Sequence, residues 1–300
     1  MKIKKKSNLV YPLLILSMIF WGSSFVWAKL LLENYTAVTI VFFRLLVSVL
    51  VMIPVLIILK QLKFPNKKDI PKFILLAFFE PFLYFLGETN GLQHMDSSIA
   101  STIISIIPLC TPFVAYYFLK EKINLLNIIG IIISISGIIV IVFGKGMNLE
   151  VAPTGLALLL LAVVAANGYS VMIKKIPDNY SVLMVTFWQN AIGMLLFLPV
   201  VLIFAKDDLS NISQNGFVEG AIFSIFMLGF FASTLAFLFY MFALRHLPIT
   251  KVNVFTNSIP IFTIIISFYL LNESIDAKKI TGMFIVILGV IISQLKKNFR

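Results

Sequence analysis

The sequence predicts an all-α integral membrane protein of ten transmembrane helices arranged as two inverted five-helix repeats. Three observations predict it: a hydropathy that no soluble domain of this size sustains, a one-sided placement of basic loop residues, and an internal repeat at two fixed offsets.

Of 300 residues, 60% are hydrophobic and only 12% are charged, and the mean hydropathy is +1.02. A soluble surface needs about twice that share of charge. Apolar runs of about 20 residues, enough to cross a bilayer at about 1.5 Å per residue, recur over the whole length. They predict helices one to ten at residues 10–32, 38–59, 73–92, 98–119, 125–143, 154–173, 182–205, 217–244, 252–271 and 280–295.

Residues 1–8 are basic and precede an apolar run, as in a secretory signal. That run is too long for such a signal and carries no small-x-small cleavage site, so it is expected to remain as helix one. With a single cysteine, Cys110, and two widely separated histidines, His94 and His246, neither a disulfide framework nor a metal knuckle is available. No cofactor and no metal are expected.

The net charge of +11 does not form a long basic face, which argues against nucleic acid as a partner. With the N-terminus inside, eighteen Lys and Arg fall in cytoplasmic loops and only Lys29, Lys145, Lys206, Lys278 and Lys279 outside; Arg44, within helix two, completes the 24. This follows the positive-inside rule. It predicts a multi-pass protein of the cell membrane with both termini cytoplasmic.

A shift of 145 residues lays Lys29 on Lys174, Asn34 on Asn179, Tyr35 on Tyr180, Phe42 on Phe187 and Pro54 on Pro199. A shift of 152 lays Leu92 and His94 on Leu244 and His246, Pro108 on Pro260, Glu121 on Glu273, Gly130 on Gly282 and Gly137 on Gly289. Two units follow, 1–147 and 148–300. Each holds five spans, an odd number, so the second enters the membrane in the opposite sense. Inverted repeats place a binding site near the midplane between the halves, where alternating access exposes it to each side.

The segments FWGSSFVWAK in helix one and FFRLLVS in helix two, with the duplicated P-x12-E and G-x6-G blocks, resemble the EamA-type members of the drug/metabolite transporter superfamily. The resemblance runs from about residue 14 to 294 through both halves. It implies a secondary carrier, usually an exporter of amino acids or other small metabolites. It further implies a central cavity lined by helices one, three, four, six, eight and nine. One departure is that helix three carries Glu80 and Glu88, where apolar or tyrosine-like residues are more usual in such proteins.

Charged groups inside a bilayer cost about 2.5–3.5 kcal/mol at a helix centre, so each needs a partner, water or a task. Arg44 and Glu88 fall at similar depth on neighbouring helices and are expected to meet, either as a fixed ion pair or with Arg44 as a clamp for a substrate carboxylate. Glu80, Tyr84 and Glu88 follow one another at i, i+4 and i+8, a single helical face. A carboxylate there is a candidate proton carrier, and protons are the candidate coupling ion.

Ser101 and Ser105 in helix four, and Asn253 and Asn257 in helix nine, form matching polar faces ahead of Pro108 and Pro260. The prolines free carbonyls and permit bends. Trp21 and Ser24 in helix one, and Asn167 and Tyr169 in helix six, are candidate lining residues near mid-membrane. In the second half Gln189 stands where Arg44 does in the first, and Tyr240 where Glu88 does. The same hydroxyls and amides also serve plain helix packing through hydrogen bonds. Glu121 and Glu273, at helix ends, are expected to be structural.

The expected partners are a small-molecule substrate and the lipid bilayer. A channel or facilitator is the alternative. An intramembrane enzyme lacks its constellation: there is no HExxH, no Ser–His pair or paired aspartates clustered at a common depth in the membrane, and no Walker A loop.

Overall fold

The computed structural model describes residues 2–119, 125–142, 151–247, 252 and 255–295. Among these the chain is helical throughout, with no strand. Seven helices are long and apolar enough to cross a membrane: Leu9–Leu31, Ala37–Ile58, Ile70–Leu92, Ser97–Val114, Pro153–Lys175, Val182–Phe204 and Ala221–His246. Shorter apolar helices cover Leu125–Ile141 and Phe255–Leu270, and Ala277–Gln294 forms the last helix. Large apolar side chains such as Ile58, Phe204 and Ile222 stand more than 60% exposed, the pattern of helices whose outer face meets lipid.

The expected uniform spans differ from the observed helices where the chain breaks. Helix three consists of Ile70–Ala77, a π-helical stretch Phe78–Leu83 and Tyr84–Leu92. Within it Glu80 leaves the helical conformation (φ −149°, ψ 119°), and the Glu80–Pro81 peptide bond is cis. Pro81 has no N–H to give the turn before it. Glu80 and Tyr84 therefore do not share the face of one regular helix, as their spacing suggests.

Helix four divides into Ser97–Ile104 and Ile107–Leu119. Pro108 removes a donor at the break, and three hydroxyls fold back onto helix carbonyls: Ser101 and Thr102 on Ser98, and Ser105 on Thr102. Helix nine opens with a 3-10 turn, Phe255–Ser258, before Ile259–Leu270. Helix eight contains a π-helical segment, Met227–Ala236, in which Thr234 Oγ1 donates to Gly229 O at 2.9 Å.

A further helix, Lys206–Asn215, occupies what the hydropathy pattern leaves as a loop. Its Asp208 Oδ2 accepts from Thr36 N (2.8 Å), Thr36 Oγ1 (2.7 Å) and Thr39 Oγ1 (2.6 Å). The carboxylate so satisfies donors at the start of Ala37–Ile58 that no helical carbonyl reaches.

The halves interlock reciprocally. Tyr35 Oη of the first half accepts from Val218 N at 2.8 Å, and Tyr180 Oη of the second accepts from Asn66 N at 3.0 Å. The two tyrosines are repeat equivalents at the 145 offset, and the two amides are equivalents at 152. Each half thus ties down the chain just before a helix of the other.

The same exchange appears between Leu125–Val142 and Ala277–Gln294. A β-carbon at Gly130 would lie 2.4 Å from Gly289 O, and one at Gly137 would lie 2.7 Å from Gly282 O. Gly130 meets Gly289 and Gly137 meets Gly282, so these helices run antiparallel with their backbones in contact, as small residues permit in membranes. Ser134 Oγ, between the two contacts, donates to Val286 O at 3.0 Å.

Candidate functional site

Between the halves, near the middle of several helices, lies a cavity of about 60 Å³. That is room for a few waters at about 10–15 Å³ each, well below the roughly 300 Å³ at which small-molecule pockets begin. The first half contributes Trp21, Ser24, Arg44, Glu80, Tyr84 and Glu88 to its wall, and the second contributes Tyr169 and Tyr240. These eight of the sequence candidates are brought together.

Five candidates lie elsewhere. Ser101 and Ser105 are fully buried with their hydroxyls returned to their own helix. Asn167 Nδ2 donates to Val163 O (2.9 Å) and Ile107 O (3.3 Å), a link between helices six and four. Gln189 is buried beside the cavity, where its Oε1 accepts from Tyr169 Oη at 3.2 Å. Asn257 is buried with no partner for its amide among the described residues. Asn253, like Glu121, lies outside the described residues.

Arg44 and Glu88 do not form the expected ion pair; no carboxylate oxygen comes within 4.0 Å of the guanidinium among the described residues. Arg44 is instead held on two other sides. Its Nε donates to Ser233 Oγ at 2.9 Å, and its guanidinium carbon lies 4.1 Å from the centre of the Phe85 ring, a cation–π contact. Glu80 and Glu88 share the cavity wall with Arg44. Glu80 lines the same wall as Tyr169 and Tyr240. Helix two thus brings Arg44, and the broken helix three brings Glu80 and Glu88, to the wall that also holds the aromatic side chains.

Behind Arg44 runs a polar network that sequence reasoning missed. Asn190 Nδ2 donates to Ser48 Oγ and Ser233 O, each at 2.8 Å, and Ser48 Oγ lies 2.7 Å from Thr234 Oγ1. Ser48 follows Arg44 by one turn on the same face, the one signal that could have pointed to it. The π-helical segment of helix eight sets Ser233, and no sequence period marks that.

The aromatic end is closely packed. Trp21 lies 4.9 Å from Tyr240 and 5.2 Å from Phe237, ring centre to ring centre. Phe25, Phe85, Ile104 and Ile259 complete the apolar wall; apolar residues recur everywhere in such a chain, so no pattern singles them out.

Among the described residues no group of three His, Cys, Asp or Glu side chains is placed to hold a metal. The site offers charge, aromatic faces and hydroxyls to a solute, rather than a nucleophile and base.

The EamA-like transporter family matches residues 8–143 and again 153–295. A protein of Archaeoglobus fulgidus named an uncharacterized transporter is 26% identical over 95% of this chain and 98% of its own length. The Bacillus subtilis transporter YdfC is 26% identical over 93% of this chain and 88% of its length. A WAT1-related chloroplastic protein of Arabidopsis thaliana is 23% identical over 94% of this chain and 68% of its length. One solved crystal structure superposes with a TM-score of 0.65 at 12% identity, covering 93% of this chain and 98% of that one; it shares the fold. The chain belongs to the EamA-like transporter family: it is a multi-pass membrane protein of a transporter family, not an enzyme.

Proposed function

We propose that this protein is a secondary active carrier that exports or exchanges a small metabolite, such as an amino acid, across the cell membrane by alternating access. In this reading the chain forms ten spans with both termini cytoplasmic, as two inverted units, 1–147 and 148–300. The observation that carries it is the cavity itself: it lies between the halves, both line it, and it is too small here for a metabolite. Entry requires the halves to part. Inverted repeats that rock about such a site open it to one side at a time.

The reciprocal tyrosine and glycine contacts support the reading, because equivalent contacts let two halves exchange conformations. Glu80 and Glu88 are the proposed proton carriers, since buried carboxylates next to a solute site couple binding to proton release.

The test is uptake by purified protein in liposomes, screened over amino acids and related metabolites with and without an imposed pH gradient. Saturable uptake and counterflow are expected. Flux that never saturates and shows no counterflow overturns the carrier reading in favour of a channel. Glu80→Gln or Glu88→Gln protein that still responds fully to the pH gradient removes that carboxylate as the proton carrier.

A further inference from the structure

We propose that the cavity selects a cationic amine with an apolar body, its ammonium seated between the Glu80 carboxylate and the rings of Trp21 and Tyr240. The inference rests on the carrier reading for its biological sense, but its observations are separate.

Charge comes first. Among the described residues the cavity wall holds two carboxylates, Glu80 and Glu88, against one guanidinium, Arg44, and no lysine or histidine. Arg44 is already engaged by Ser233 and Phe85. Glu80 has neither ion pair nor hydrogen bond among the described residues, although it is only 7% exposed. A charge buried in this way requires a compensating one. One positive charge, on a solute or as a bound proton, balances the site.

Hydrogen-bond polarity points the same way. Ser24 Oγ donates to Trp21 O at 2.7 Å, Ser170 Oγ donates to Ala166 O at 3.0 Å, and Tyr169 Oη donates to Gln189 Oε1 at 3.2 Å. Each of these lining hydroxyls spends its only proton on the protein and keeps lone pairs to offer. These three oxygens accept hydrogen bonds from a solute. An ammonium supplies protons to these oxygens.

The aromatic faces complete the fit. Tyr240 and Phe237 both pack on Trp21, and Glu80 lines the same cavity. Cations bind over such rings, most strongly over tryptophan. The wall's Phe25, Ile104 and Ile259 then suit an apolar remainder.

Calorimetric binding to the full-length protein in detergent tests this with three probes: phenethylamine, benzyltrimethylammonium and phenylacetate. Wild-type protein is expected to bind both cations at least about tenfold more tightly than phenylacetate. Glu80→Gln is expected to weaken phenethylamine by about tenfold or more, and Trp21→Leu to weaken benzyltrimethylammonium by several-fold. Equal or tighter binding of phenylacetate by the wild type overturns the inference. So does failure to bind either cation, or an unchanged phenethylamine affinity in folded Glu80→Gln protein. The wild-type comparison stands even if a variant fails to fold. Amine binding without flux in liposomes removes the carrier reading and leaves this inference; saturable flux of an anionic solute without amine binding does the reverse.

Discussion

Glu273 Oε1 accepts the backbone N–H of Ser97 at 2.7 Å, and Glu273 Oε2 accepts the N–H and hydroxyl of Ser98 at 3.2 and 2.9 Å. A carboxylate that follows helix nine so caps the first turn of helix four, where unpaired N–H groups and the helix dipole favour a negative charge. Beside it Lys279 Nζ pairs with Asp96. The two contacts fasten one half to the other at one end of the bundle, at a helix start whose residues continue towards Ile104 in the cavity wall.

Glu273→Ala is expected to lower thermal stability by about 1–2 kcal/mol, the range for lost helix caps, while Glu273→Gln retains part of it. In a Cys110→Ser background, a cysteine at Ser101 is expected to react faster with a membrane-impermeant thiol reagent once Glu273 is alanine. An unchanged labelling rate removes Glu273 as a closure contact.

Tyr35→Phe deletes one bond of the reciprocal pair without changing shape, whereas Tyr180→Phe deletes the other together with the Oη bond to Asp69. Tyr35→Phe is expected to cost about 1 kcal/mol, and Tyr180→Phe more, because the Asp69 carboxylate also loses a donor. The far-apart pair should act additively in thermal melts.

Gly130→Val is expected to prevent a stable fold or sharply reduce yield of folded protein, because its β-carbon would collide with Gly289 O and Ser293 N, both backbone. Backbone cannot rotate away as a side chain can. Valine at Gly216, where no atom lies within 4 Å of the β-carbon position, isolates the backbone effect of its positive φ from crowding. Monodispersity on size exclusion separates the two.

Arg44→Lys keeps the charge but loses the Nε bond to Ser233 and the guanidinium's contact over the Phe85 ring. Transport is expected to fall by about tenfold or more, and Ser233→Ala by a smaller factor, since it leaves the Phe85 contact. Initial rates in liposomes with matched protein content check both.

Asp69, at the start of helix three and outside the apolar span, accepts from Lys72 Nζ at 2.8 Å and Tyr180 Oη at 2.9 Å. The bond from Lys72, with Tyr180 adding to it, holds its carboxyl below the usual carboxylate range. A carboxyl lowered by folding stabilises above its unfolded value near about 4, and that contribution disappears as pH falls through the lower folded value. Asp69→Asn is therefore expected to melt below wild type at neutral pH and to converge with it in acid.

The hydropathy runs and the two offsets made the helices and the pairing of Tyr35 with Tyr180 legible, since both are repeated along the chain. Lys206–Asn215 was not legible, because a short polar helix carries no span-length signal. Arg44, Glu80 and Glu88 stood out because charge is costly in lipid, and all three reach the cavity. Ser101, Ser105 and Asn167 shared that polar signal but turn their side chains to carbonyls of their own or a neighbouring helix.

By itself the sequence determined an α-helical membrane protein of duplicated halves, because bilayer thickness and charge cost act on local composition. Only the tertiary structure decided that Arg44 rests on Ser233 and Phe85 rather than on Glu88, and that Glu80 joins Tyr169 and Tyr240. Those outcomes depend on where Pro81 and the π-helical segment of helix eight bend the backbone. A bend rotates every side chain beyond it, and no spacing rule for a regular helix carries that rotation.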